Sequence, residues 1–322
     1  MLKKISSIQV LITLFLTLLS ISACNKDDSI SSGTVDFGTA PSSTLVPSAS
    51  VEIITENTVR YHVINFLGDY PIIIVETESG IVLVDAGSYE YPDIGRELRL
   101  YADAINKSMS IIITHSHFDH WGGLSDFGDI TVYTTTAVAT SLLAEPDFST
   151  YYSGTVNSVA SGSSQTLAGV SFDFYNVSNT ETTENAYVTI PSLKALFIGD
   201  LGTGGHEYIR EYTPLDSSDE LDSWIAVLNL MKTNFGNYNH IFFGHYVSTT
   251  SVSTELDRII NYIEVGQGLI KGTRSLTAGG TATSVQEVVD ELLLLYPDLP
   301  VGGLLFALPN GFYPGDPGAI WF

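Results

Sequence analysis

Three histidines and an aspartate stand within six consecutive positions of this chain. They are His115, His117, Asp119 and His120, in the run THSHFDH that follows Ile111, Ile112 and Ile113. Imidazole nitrogens combined with a carboxylate oxygen are donors that zinc and similar divalent ions take in proteins. Side chains two apart in an extended segment point the same way, so His115 and His117 can share one ion. Asp119 and His120 lie where the chain turns and can bind a second ion nearby.

The elements around this run must bring it to the end of a strand. The three isoleucines form a β-branched run typical of a buried strand, and 81–84 has the same character, with an amphipathic helix predicted at 94–105 between them. Upstream, the alternation at 51–56, 59–66 and 72–76 predicts an antiparallel meander. Downstream we expect a strand at 130–134, a helix at 136–144 and a loop over the site at 147–164. Either pair of ligands alone underligates its ion, so later residues must complete both sites.

The H-x-H-x-D-H pattern followed by Gly122-Gly123 resembles the metallo-β-lactamase superfamily of metallo-hydrolases. The resemblance implies that Asp200, after the strand predicted at 193–198, bridges two cations, and that Gly244-His245 supplies the last ligand. It also implies that Asp85, at the end of strand 81–84, orients ligands without binding metal. An ordinary turn aspartate is the alternative for Asp85.

One family histidine is missing, because the usual Gly-His-Thr-x-Asp/Glu-Asn segment is replaced near residues 176–191. Aligning Thr182, Glu184 and Asn185 on that segment places Glu181 at the histidine position, a replacement that resembles the alkylsulfatase branch of the superfamily. A carboxylate oxygen is a suitable zinc ligand. Glu184 is the rival candidate, and a solvated loop without a ligand is the third possibility.

The order of strands and helices predicts an α/β fold, a four-layer αββα sandwich of two mixed β-sheets with helices outside. A hairpin is expected at 166–177 with its turn at 168–169, and helices at 221–235, 252–275 and 284–296. The domain would cover residues 51–322, with C-terminal helices and an aromatic tail from about 250.

The expected chemistry is hydrolysis. Two divalent ions can hold a hydroxide between them and polarise the bond to be cleaved, so a small-molecule ester, lactone or amide is the expected substrate. Zinc is the first expectation; Glu181 adds an oxygen donor, which leaves manganese or iron possible. Asp119 and His206 are candidate catalytic groups, although His206 could equally be a loop histidine. A sulfate-ester hydrolase and a lipid-anchored binding protein with a degenerate metal site are the alternatives.

The N-terminus predicts export. Lys3 and Lys4 precede an apolar run, and small residues lead to Cys24, the only cysteine, so residues 1–23 resemble a bacterial lipoprotein signal peptide that leaves Cys24 lipidated. Residues 24–50, rich in Ser, Gly, Thr and Pro, predict a flexible tether. The residues after Cys24 resemble an outer-membrane address, periplasmic or surface-exposed. A formal charge of −23 argues against nucleic acid as a partner.

Overall fold

The computed structural model describes residues 34–56, 58–207, 218–247 and 250–300. The predicted signal peptide with Cys24 and the aromatic tail from residue 301 lie outside the described residues. Their predicted roles therefore stay predictions.

The first sheet has seven strands, arranged in sequence order. They are β1 (Ala49–Thr55), β2 (Arg60–Phe66), β3 (Tyr70–Glu76), β4 (Ile81–Val84), β5 (Met109–Ile112), β6 (Val132–Thr135) and β7 (Val156–Val159). The pairs from β1 to β4 are antiparallel, which confirms the predicted meander. The pairs from β4 to β7 are parallel, so the sheet is mixed. The candidate metal ligands that follow β5 therefore lie at the edge where the parallel strands end.

The second sheet has five strands. They are β8 (Ser163–Leu167), β9 (Val170–Ser178), β10 (Glu184–Ile190), β11 (Ala195–Phe197) and β12 (His240–Phe242), in the spatial order β12-β11-β10-β9-β8. The β8–β9 hairpin turns at Ala168 and Gly169, as predicted. Only the β11–β12 pair among these strands is parallel, which makes this sheet mixed as well.

Five of the described helices lie close to predicted positions, although the one that begins at Val252 ends at Ile270 and not at 275, and the short helix at Phe148–Tyr151 lies in a stretch predicted to be a loop. The described helices are α1 (Pro92–Ile105), α2 (Phe118–Trp121), α3 (Thr136–Ala144), α4 (Phe148–Tyr151), α5 (Ser218–Phe235), α6 (Val252–Ile270) and α7 (Val285–Leu295). α1 begins with a proline in its first turn and ends at Asn106, whose backbone lies in the left-handed region. Ser251 caps α6 by accepting from Thr254 N. None of the helices within the described ranges is long and apolar enough to cross a membrane.

Three buried clusters define the layers. Side chains of both sheets meet in the first, among them Val63 and Val84 against Phe172 and Phe197. The second cluster lies between the first sheet and α1, α3 and the short helices, and the third between the second sheet and α5, α6 and α7. Helix, sheet, sheet and helix thus follow one another, which confirms the predicted αββα sandwich.

A charged cluster is buried in the outer face of the first sheet. Glu76 Oε2 accepts from Arg60 Nε at 2.7 Å and from His62 Nε2 at 2.8 Å, and Lys107 Nζ lies 2.9 Å from Glu76 Oε1. His62 is fully buried, and its Nδ1 contacts Tyr101 Oη at 2.9 Å. Burial alone raises the pKa of Glu76, but the hydrogen bonds with His62, Arg60 and Lys107 outweigh burial and lower it to about 2. His62 therefore belongs to this structural cluster and not to the candidate ligands.

The predicted flexible tether differs from the structure in its second half. A 3-10 helix forms at Ser43–Leu45, and Val46 is buried against the first sheet. Arg60 donates to the carbonyls of Phe37 and Gly38, and Ser48 N donates to Glu97. These polar partners belong to distant parts of the sequence, so composition alone did not indicate that this stretch packs on the domain.

The prediction of a loop at 147–164 is wrong. That stretch contains α4, β7 and the start of β8, and β7 pairs in parallel with β6. Its strands are short and rich in Ser, Thr and Asn, and their mostly exposed side chains give no clean alternation.

Candidate metal centre

The histidine run lies at the carboxyl edge of the first sheet, where the chain leaves β5 and enters the single turn of α2. His115 is fully buried, and an isolated bridge joins it to Asn185 of β10. Ala186 N also donates to Thr114 O at 2.7 Å. The run is therefore held between the two sheets, with Asp119 and His120 presented by α2.

The first group of possible ligands contains His115, His117, Glu181 and Asp200. Each offers one ligand atom, and these atoms lie within 4.8 Å of one another. His115 Nε2 is 2.9 Å from His117 Nδ1, and Glu181 Oε1 is 3.5 Å from His117 Nδ1. Two imidazole nitrogens and two carboxylate oxygens thus converge on one point.

The second group contains Asp119, His120 and His245, again within 4.8 Å of one another. Asp200 faces this group too. Its Oδ1 is 3.3 Å from His120 Nε2, and its Oδ2 is 3.1 Å from His245 Nε2 and 3.7 Å from His115 Nε2. One carboxylate therefore reaches both groups, as a bridging ligand must.

These residues fit a pair of divalent ions. His120 Nε2 and Asp200 Oδ1 are buried, and neither makes a well-oriented hydrogen bond to any described residue. Buried polar atoms left in this way are costly. Four imidazoles with three carboxylates form a donor set typical of zinc and of harder divalent ions. Cations bound here would satisfy both buried atoms.

The electrostatics of the cluster depend on Asp200. Burial alone raises its pKa, but the charges of His245 and His120 hold it well below its usual value. Burial lowers the pKa values of His120 and His245, yet the carboxylate of Asp200 raises both well above normal. His115 is different, since burial and its imidazole neighbours lower its pKa well below normal. A concentrated negative charge thus sits at the centre of the histidines.

Asp85 contacts His120 of the second group directly and His115 of the first group through Thr114, which fits the ligand-orienting role that the resemblance implies. It adopts a φ of 64° and accepts from Thr114 N at 2.8 Å, from Thr114 Oγ1 at 2.9 Å and from His120 Nδ1 at 2.9 Å. Because Thr114 Oγ1 donates its one proton to Asp85, it accepts from His115 Nδ1 at 3.0 Å. The Nε2 atoms of His115 and His120 are thereby left to face the site.

Asp69 supports His245 in a similar way and was not predicted from the sequence. Its carbonyl accepts from His245 Nδ1 at 3.1 Å, and its Oδ1 is 3.5 Å from the same atom. Asp69 lies in the β2–β3 turn, where an aspartate has an ordinary structural explanation.

The remaining candidates lie elsewhere. Glu184 Oε2 accepts from Asn176 Nδ2 and Ser178 Oγ, at 2.6 and 2.9 Å, so it belongs to the β9–β10 hairpin and to neither ligand group. His206 is buried with its Nδ1 3.0 Å from Tyr262 Oη, and burial lowers its pKa to about 4. The structure does not bring His206 to the ligands, so its contacts give a catalytic role no support. His240 is half-buried and lies 2.6 Å from Glu56 Oε1, away from both groups of possible ligands.

Aromatic side chains flank the ligands. The Tyr89 ring lies 4.9 Å from that of Phe118, which stands between two ligands in sequence, and stacks on Tyr151 at 4.8 Å. All three are half-buried. The Tyr70 ring lies 5.7 Å from that of His245. These rings offer apolar contact surface beside the cluster.

Comparison with known proteins places the chain in a family. The family model of the metallo-beta-lactamase superfamily matches residues 67–235. Among solved structures, metallo-beta-lactamase IND-7 is similar with a TM-score of 0.50 and 18% identity, over 68% of this chain and 99% of that one. A metallo-beta-lactamase from Pontibacter korlensis has a TM-score of 0.49 and 20% identity, over 67% and 99%.

A double mutant of the sec-alkyl sulfatase PisA1 has a TM-score of 0.49 and 15% identity, over 69% of this chain and 41% of that chain. No curated protein sequence matches. The structural likenesses, all at low identity, concern the fold alone. The family match spans just over half of the chain and includes the histidine run at 115–120. This protein therefore belongs to the metallo-β-lactamase superfamily.

Proposed function

We propose that the protein is a binuclear metal-dependent hydrolase that cleaves an ester, lactone or amide-type bond in a small molecule. One observation carries the proposal. Asp200 lies within 3.7 Å of ligand atoms in both groups, so seven convergent side chains form two adjacent sites with a shared carboxylate.

The assignment of ligands follows from these groups. His115, His117 and Glu181 would hold one ion; Asp119, His120 and His245 would hold the other; and Asp200 would contact both. Bound divalent ions, zinc first, would lower the pKa of water toward neutrality and polarise the oxygen of the scissile bond. Three ligand carboxylates offset three of the four positive charges of two such ions. The site is therefore less electron-withdrawing than one with a histidine in place of Glu181, and it accepts manganese or iron more readily.

Asp119 is the group we assign to proton handling. Its side chain is 17% exposed, whereas those of Glu181 and Asp200 are 3% exposed. Asp119 Oδ2 lies 3.5 Å from His245 Nε2, so one carboxylate oxygen is held in the second group. The other oxygen can accept the proton of an attacking water from the solvent side.

The flanking rings indicate the substrate's shape. Phe118, Tyr89 and Tyr151 present half-buried aromatic surface next to His117 and Asp119. Such surface stabilises an apolar or planar group attached to the scissile bond.

Metal analysis and a substrate panel test the proposal. The mature protein is loaded with zinc, its metal content is measured, and lactone, aryl ester, phosphodiester, sulfate-ester and β-lactam substrates are assayed. We expect two ions per chain and hydrolysis of an ester or lactone. Two bound ions without turnover of any substrate would contradict the reaction, and fewer than two ions would contradict the binuclear centre.

Sulfate-ester hydrolysis is the second candidate. Glu181 favours it, because a carboxylate in place of the usual histidine is the feature by which this chain resembles the alkylsulfatase branch. Turnover of the sulfate ester alone in the panel would select it. A binding protein with a degenerate metal site, the third possibility, is selected by fewer than two bound ions together with no turnover at all.

We also propose that the chain is exported and lipid-anchored through Cys24, at the outer membrane. The lysine pair, the apolar run and the small residues before the single cysteine support this proposal. Cys24→Ala should move the protein from the membrane fraction to the soluble fraction. Unchanged fractionation would contradict the anchor.

A further inference from the structure

The loops that follow Asp200 and His245 are bonded to each other. Tyr246 N donates to Thr203 O at 2.7 Å, and Gly244 N donates to Gly199 O at 3.0 Å. Thr203 Oγ1 in turn donates to His206 O and accepts from Gly205 N, which folds the first loop into a tight turn. The positions of these two ligands therefore depend on one another.

Arg258 of α6 reaches into the turn and holds it. Its Nη1 donates to Gly205 O and its Nη2 to Glu207 Oε1, both at 3.0 Å, and its Nε donates to Glu255 Oε2 at 2.9 Å. Glu207 is fully buried, and its Oε2 accepts from Thr203 N at 2.8 Å. Glu255 also accepts from Thr250 Oγ1. One guanidinium thus connects the segment after Asp200 with the segment after His245.

We propose that Arg258 is a positioning residue for the metal centre: together with Glu207 and Glu255 it fixes the two loops that present Asp200 and His245. We call these three residues the Arg258 clip. The inference rests on the proposed binuclear centre. It adds to that centre a support that touches no ligand directly.

The clip bears unequally on the two groups. His245 belongs to the second group, and Asp200 is shared. His115, His117 and Glu181 come from the β5–α2 and β9–β10 segments, whereas Arg258 and Glu207 donate to or accept from Gly205, Thr203 and Glu255 in the loop after Asp200 and in α6. Loss of the clip therefore disturbs the second ion far more than the first.

A charge argument determines which variants are needed. Arg258→Met leaves the carboxylate of Glu207 buried without its cation, and such a change can destabilise a protein whatever its effect on the metal. The double variant Glu207→Gln/Arg258→Met removes both charges. Arg258→Lys keeps the charge but cannot make all three directed bonds.

The control is a second arginine that pairs with a buried carboxylate. Arg60 also pairs with a buried carboxylate and donates to two carbonyls, but in the cluster around Glu76 on the first sheet. Arg60→Met should lower thermal stability without changing metal affinity.

The experiment measures the zinc dissociation constants of both ions on the full mature chain, by competition with a chromophoric chelator, alongside melting of the metal-free proteins. In Arg258→Met and in the double variant we expect the second ion to bind about 10- to 100-fold more weakly, and the affinity for the first ion, which shares only Asp200 with the clip, to fall far less. Arg258→Lys should fall between these variants and the parent.

Two results would overturn the inference. The first is that the double variant binds the second ion as tightly as the parent does. This test can be made even if Arg258→Met does not fold. The other is an equal loss of that ion in Arg60→Met. A failure of the proposed centre is distinguishable from both results, because the unmodified parent protein would then itself bind fewer than two ions.

Discussion

Gly244 is a position where the structure leaves almost no room beside the candidate ligands. A methyl group on its α-carbon would overlap Asp200 Oδ1 and lie 3.0 Å from both Asp200 Cγ and His120 Cε1. The φ of Gly244 is outside the left-handed region, so alanine is acceptable to the backbone and the collision is the whole effect. Gly244→Ala therefore tests the position of the bridging carboxylate.

The magnitude follows from the displacement needed. Non-bonded heavy atoms pack without repulsion at about 3.5 Å, and the added methyl group overlaps Asp200 Oδ1, so the carboxylate must move by roughly 1.5 Å. Asp200 lies 3.1 Å from His245 Nε2 and 3.3 Å from His120 Nε2, and a shift of that size removes it from one group or both. Misplacement by about 1 Å can cost on the order of 100-fold in rate. We expect kcat/KM to fall about 100-fold and metal content to fall below two per chain.

Gly128→Ala is the matched control, because the nearest atom to its added methyl group is Ser153 Oγ at an ordinary 3.7 Å. Metal content and kcat/KM on the best panel substrate are measured for both variants and the parent. Parental metal content and rate in Gly244→Ala would show that Asp200 does not bridge as described. Equal losses in the two variants would show that the effect is general destabilisation.

Four further results are expected. Glu181→Ala should lower the affinity for the first ion by more than the roughly 10- to 100-fold that loss of a supporting contact costs. Glu184→Ala should leave that affinity unchanged in chelator titrations. Glu181→His should retain the ion and make the site one unit more positive, so the pH profile of activity should shift downward; an upward shift would contradict it. Asp119→Ala should lose the second ion and nearly all turnover, whereas His62→Ala should change only the melting temperature. Glu76, with its lowered pKa of about 2, should contribute stability that is full above the unfolded value near 4.5 and is lost as pH falls toward 2, about 3 kcal/mol in total. In melting experiments at acid pH, the stability of Glu76→Gln should therefore fall less steeply between pH 4.5 and pH 2 than that of the parent.

All candidate ligands except Glu181 could be predicted because they follow short strands with apolar residues. A buried apolar run followed by His, Asp or Gly-His indicates chemistry at a strand end, and β5, β11 and β12 are all followed in this way. Glu181 required the family resemblance to distinguish it from Glu184, since both are acidic residues of one loop. Their separation became clear only from the pairing of β9 with β10, which turns Glu184 toward Asn176.

What the sequence did not indicate is mainly long-range polar pairing. Asp69 meets His245 across 176 positions, and Glu56 meets His240 across 184. No periodicity or composition relates such residues, because only the stacking of the two sheets brings them together. Arg258 is a similar case: on α6 it resembles any charged residue of an amphipathic helix until the turn beneath it is known.

The division of the ligands between the two sheets has a thermodynamic consequence. The histidine run follows β5 of the first sheet, whereas Glu181, Asp200 and His245 belong to segments next to β10, β11 and β12 of the second. Each ion would therefore act as a cross-link that forms only when the sandwich is closed. By mass action, an ion at 100 times its dissociation constant adds about 2.7 kcal/mol to the stability of the closed state. Chelation should loosen the seam between the sheets first, so the melting temperature of this protein should report the free metal concentration around it.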